Sequence, residues 1–157
     1  MREETLYSFF CAKNIDTCFK VLEIEIDQSL KTIYNIYYHV GREVYNNQPY
    51  ENSINPSDKY FFGASPDGFR DCLMDYLEIR ETNISLRLNI KSVGENIVDK
   101  EIYMFLYILA TCMLDFNFDS RLQVYVSKEI LNIYLKEAER LLVLDTNPDD
   151  PNDYVQY

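Results

Sequence analysis

Residues 101–116 read EIYMFLYILATCMLDF, and the thirteen residues from Ile102 to Leu114 pass without a charge. This stretch limits the fold more than any other, because a helix that is apolar on every side must be covered on every side. Thirteen residues span only about 20 Å as a helix, short of the roughly 30 Å of a bilayer's hydrocarbon layer. Lys100 is the only basic residue close to the run. The expected place for it is the centre of a domain, with Cys112 as a buried, reduced thiol.

A chain of 157 residues, 47% hydrophobic and 26% charged, is long enough for one core without disulfides or metals. Four Gly and five Pro are too few for a many-turned β-sandwich or a disordered chain. From Asp16 to about Tyr45 the residues Phe19, Leu22, Ile26, Leu30, Ile33, Tyr37, Val40 and Val44 step by three and four, as along one face of a helix. Leu22 to Asp27 alternates apolar and acidic, which suits a strand. The helical reading matches more positions and is preferred, with a break near Asp27–Ser29.

Residues 46–64, rich in Asn, Pro and Ser, read as a long loop. Ser65-Pro66-Asp67 then supplies a cap, a first-turn proline and a first-turn acid for a helix with Phe69, Cys72, Leu73, Tyr76 and Leu77 inside. Residues 82–93 fit either a strand, on the alternation of Ile84, Leu86, Leu88 and Ile90, or a helix that is apolar on two sides. A helix is expected over about 97–116. Another follows a cap at Asp119 or Ser120, carrying Leu122, Val126, Ile130, Ile133, Glu137, Leu141 and Leu144 at helical spacing.

The expected fold is mainly α, a single-domain helical bundle around the helix at about 97–116. The alternative is α+β, with a small sheet from segments near 21–27, 83–91 and 121–126. One domain covers 1–145, and 146–157 reads as a flexible acidic tail.

Acids outnumber bases 26 to 15, a net charge of -11. That disfavours direct nucleic-acid binding, which needs a basic footprint, and favours basic partners. It also keeps a protein soluble with no further meaning. The first residues are acidic where a secretory signal needs bases, and no membrane association is expected. A cytoplasmic location follows, in a bacterial cell or in a host cell reached by a virus. Cys11, Cys18, Cys72 and Cys112 show neither a CxxC pair nor metal spacing.

No phosphate-binding Gly loop, HExxH or GxSxG is present. His39 is the only histidine, and it reads as an ordinary surface or core-edge residue. Glu23, Glu25 and Asp27 would approach a common cation only on a strand; on a helix they diverge. No catalytic residue, cofactor or metal ligand is therefore assigned.

The sharper pattern is DGFRDCLMDYLE. Asp67, Asp71, Asp75 and Glu78 fall at i, i+4, i+8 and i+11, one face of a helix, with Arg70 able to relieve the first two. The row could meet lysines and arginines of a partner, or it could be a plain solvated face. Just before it stand Tyr60, Phe61 and Phe62, three aromatics that cannot all point inwards from one extended segment. Either some of them serve as exposed anchors beside the acids, or Phe61 or Phe62 plugs the end of the core.

These features lead to a non-enzymatic acidic protein that inhibits or neutralises a basic-surfaced toxin, nuclease or defence effector. Asp67, Asp71, Asp75, Glu78, Tyr60, Phe61 and Phe62 form its partner-binding set. One alternative is a helical bundle that binds a host signalling or apoptotic protein. The order of a long apolar helix, a short turn and an amphipathic helix resembles the layout of viral Bcl-2-type bundles, though no motif residue carries the resemblance. A small enzyme using cysteine or carboxylates is the remaining alternative.

Overall fold

The computed structural model describes residues 5–11, 20–47, 62–63, 65–78, 84–115 and 121–145. Their elements follow in the order β1 (Tyr7–Cys11), β2 (Lys20–Ile26), α1 (Ile33–Asn47), α2 (Pro66–Glu78), β3 (Ile84–Ile90), α3 (Asp99–Asp115), β4 (Leu122–Val126) and α4 (Lys128–Asp145). The strands form one sheet in the order β1-β4-β3-β2. β2, β3 and β4 run parallel, and β1 is antiparallel to β4. Parallel neighbours need crossover connections; α1 and α2 lie between β2 and β3, and α3 between β3 and β4.

The register explains which face meets the helices. Leu22, Leu86 and Leu122 align across the sheet, then Ile24, Leu88 and Val124, then Ile26, Ile90 and Val126. These three apolar rows join Ile36, Tyr37 and Val40 of α1, Phe69 and Leu73 of α2, and Phe105, Leu106 and Leu109 of α3 in one core. The two rows between them are polar: Glu23, Arg87 and Gln123, then Glu25, Asn89 and Tyr125. Side chains alternate across a strand, so the polar rows occupy the other face.

The mainly-α bundle is therefore corrected to α+β, the alternative reading, with strands at all three segments proposed for a sheet. The resemblance to Bcl-2-type layout falls with the bundle. Two expected helices each began as a strand. The reason is arithmetic: residues four apart share a face in a helix and also in a strand. Leu22/Ile26 and Leu122/Val126 thus satisfied both periods, and the acidic or polar residues between them carried the decisive signal.

Local chemistry ends β2 and β4. The Asp27 carboxylate accepts the Ser29 N–H at 2.8 Å, turning the chain after β2. Thr32 Oγ1 accepts the Asn35 N–H (3.1 Å) while Asn35 Oδ1 accepts the Thr32 N–H (3.2 Å), a reciprocal cap that starts α1. After β4, Ser127 Oγ accepts the Ile130 N–H at 3.3 Å and starts α4. The ambiguous segment 82–93 contains β3.

The opening run becomes α3. Ile102, Phe105, Leu106, Ile108, Leu109 and Cys112 are all buried, between the sheet and the neighbouring helices α2 and α4. Among the described residues no helix is long and apolar enough to cross a membrane. Of the expected 46–64 loop, residues 46 and 47 belong to α1, while 48–61 and 64 lie outside the described residues, as does the tail at 146–157.

Candidate functional site

α2 is seated from both ends. Ser65 Oγ accepts the Gly68 N–H at 3.0 Å, and the Ser65 carbonyl accepts that of Phe69 at 2.9 Å. Gly63 has φ +86°, and a Cβ there would lie 2.3 Å from the carbonyl carbon of Gly68, so only glycine lets the chain pass the first turn this closely. At the other end an Arg121 guanidinium N–H donates to the Leu77 carbonyl at 3.3 Å. Between them the Phe69 ring stacks on Tyr37 with centroids 4.6 Å apart, and it meets Phe62 at 5.4 Å and Phe105 at 5.6 Å.

Burying Phe69, Leu73, Tyr76 and Leu77 turns the opposite side of α2 outwards. Asp67, Asp71, Asp75 and Glu78 are all exposed. At 100° per residue they fall within an arc of about 80°, and the row is about 16 Å long. None of the four forms an ion pair with another described residue. Arg70, the expected neutraliser, sends its Nε to Thr111 Oγ1 at 3.3 Å on α3. The last turn of α2 holds no basic residue. Glu78 therefore stands at the negative end of the helix dipole, where a carboxylate is unfavourable. Asp67 suits the positive end of the helix, but nothing in the packing of α2 requires Asp71, Asp75 or Glu78.

The aromatic run divides. Phe62 is 1% exposed and lies against Phe69 and, edge-on, against Tyr45 at 5.9 Å. It is an interior ring and offers no surface to a partner. Tyr60 and Phe61 lie outside the described residues.

A second polar constellation was not assembled from the sequence. On the sheet face away from the core, Asn89 Nδ2 donates to Glu25 Oε1 at 2.9 Å and to Glu23 Oε1. Lys91 Nζ pairs with Glu25 Oε2 at 2.6 Å. Arg87 donates from Nε to Gln123 Oε1 at 2.9 Å and lies over the Tyr125 ring, 5.2 Å from its centroid. Burial pushes the Glu25 carboxyl up, but the bonds from Lys91 and Asn89 outweigh it and hold the group below the usual carboxylate range. It remains ionised at neutral pH, a poor proton donor and a satisfied ion-pair partner.

Glu23 and Glu25 do share a strand face, whereas Asp27 is turned to Ser29. Among the described residues no group of three or more His, Cys, Asp or Glu side chains is placed to hold a metal ion.

The two thiols whose surroundings are described, Cys72 and Cys112, are both held towards the protonated form. Burial pushes Cys112 up to about 11, against weak help from Arg70, so its thiol stays protonated at neutral pH. Burial, then Asp75 and Asp71, raise Cys72 as well. His39 Nε2 donates to the Glu25 carbonyl at 3.0 Å, tying α1 to the edge strand β2. Cys18 lies outside the described residues.

Comparison of the chain with protein-family models, with curated proteins and with solved structures gives no match.

Proposed function

We propose that this protein is a non-enzymatic binding protein that inhibits or neutralises a basic-surfaced macromolecule through the carboxylate row of α2. The observation that carries this reading is the row itself. Four exposed acids, unpaired by any described residue, lie along a helix whose inner face is fixed by stacked rings. A rigid helix presents charges at set intervals of about 6 Å, which suits lysines and arginines on a structured protein. The net charge of -11 extends the same field over the chain and speeds encounter with a basic partner. It opposes contact with nucleic-acid phosphates.

The partner class is a toxin, nuclease or defence effector with a basic working surface, which the row would cover. A cytoplasmic site of action belongs to this proposal and agrees with the free thiols of Cys72 and Cys112.

Capture from cell extract, with the whole chain and its Asp71→Lys, Asp75→Lys, Glu78→Lys variant compared side by side, tests it. The expected result is a basic protein retained by the natural chain and lost by the variant, with affinity falling at least about 100-fold. Equal retention by both would overturn the assignment of the site.

A further inference from the structure

The outer flank of α4 carries a pattern that its packing uses only at Leu131. Among the described side chains of this helix, only Ile130 is fully buried. Leu131, Ile133 and Tyr134 pack partly against the core, and Tyr134 stacks on Tyr103 with centroids 5.0 Å apart. At 100° per residue Ile130, Tyr134, Glu137 and Leu141 share one arc of about 60°. Leu131, Leu135, Ala138 and Leu142 form a second arc beside it.

Leu135 is 54% and Leu142 66% exposed. The second arc has the 4-3-4 spacing of a coiled-coil seam, and it widens the apolar face beyond the single stripe a surface helix needs.

We infer that this flank is a self-association face, on which a second copy of the chain docks its own α4 antiparallel about a twofold axis. The spacing is the same read in either direction. A twofold midway between residues 136 and 137 sets Leu131 against the partner's Leu142 and Leu135 against the partner's Ala138, large against small. The charges beside the seam agree. Lys136 and Glu139 are exposed and form no ion pair with any described residue, whereas Arg140 is held by Glu137 at 3.1 Å. The same twofold brings Glu139 within two residues' rise, about 3 Å along the axis, of the partner's Lys136. This pairing occurs twice, and it satisfies the requirement that an isologous interface be self-complementary.

With two exposed leucines and half-buried neighbours, the seam is narrower than the roughly 800 Å² per partner of stable complexes. The dimer is therefore weak, with a Kd of about 10 μM to 1 mM. It would hold two copies of the α2 row in one particle, but it does not depend on what that row binds.

Sedimentation velocity on the whole chain, from about 1 μM to about 1 mM, tests the inference. The expected result is a reversible shift from the 18.7 kDa chain to a species of twice that mass. Leu135→Gln with Leu142→Gln, exposed changes to a good helix former, should leave the circular dichroism spectrum unchanged and the protein monomeric throughout. Glu139→Lys alone should raise Kd by about two- to tenfold. Adding Lys136→Glu should restore it, because the pair is then reversed across the axis. A natural chain that stays monomeric at about 1 mM, a leucine variant that dimerises as before, or a charge swap that fails to recover would each overturn it.

Discussion

α2 and α4 invert the usual relation between an apolar surface and firm packing. α2 shows four carboxylates to solvent, yet it is the tightly held helix, with Phe69 and Leu73 fully buried and a glycine crossing at its first turn. α4 keeps leucines on its outer flank and has one fully buried residue among its described side chains. Neither outer face is explained by what lies beneath it. The charged row gains precision from a rigid mount, which suits recognition of fixed basic groups. The apolar row, on a helix that buries fewer of its described side chains, has area still to bury.

The largest effect expected from this contrast concerns the mounts. Phe69→Ala should cost about 3–5 kcal/mol, since it removes a ring shared by Tyr37, Phe62 and Phe105. Leu141→Ala, at a half-buried position on α4, should cost about 1 kcal/mol. Urea unfolding of both variants measures the difference, and equal losses would break the contrast. Next in size is the cap: Ser65→Ala should cost about 1 kcal/mol, mostly regained in Ser65→Asp, which can also accept the Gly68 N–H.

The smallest effect has the opposite sign. Asp75→Asn with Glu78→Gln should stabilise the fold by a few tenths of a kcal/mol at low salt, by relieving like-charge and dipole repulsion. The gain should shrink at about 1 M salt. A loss instead would mean that the acids support the fold, and the case for a spare, partner-facing row would weaken.

What could be read in advance divides by the kind of signal. α2 and α3 were legible because their patterns are local. Ser65-Pro66-Asp67 marks a start, and a run without charge from Ile102 to Leu114 must lie mostly inside, with only Tyr107 exposed among its described side chains. β2 and β4 were misread because their apolar residues stand two and four apart, so the four-residue steps imitated a helix. The strict alternation in Leu22-Glu23-Ile24-Glu25-Ile26, Leu86-Arg87-Leu88-Asn89-Ile90 and Leu122-Gln123-Val124-Tyr125-Val126 was the signal that, read jointly, gives the sheet.

The cluster around Asn89 was invisible for a different reason. Its bonds to Glu23 and Glu25 join residues 66 and 64 positions apart, and only the strand register brings them together. For the candidate site, the acidic row was legible as a helix face. That Arg70 leaves it for Thr111 and that Phe62 turns inwards depend on tertiary contacts no local pattern encodes.

The α2 row is proposed to steer and hold a basic partner. The most direct measurement is the association rate constant between the whole chain and the basic protein it captures. It should be followed as added salt shortens the Debye length from about 10 Å to about 3 Å. For the natural chain the rate should fall by at least about tenfold over that range. For the variant with Asp71→Asn, Asp75→Asn and Glu78→Gln it should start lower and change little. The same salt dependence and the same affinity in both proteins would contradict the claim.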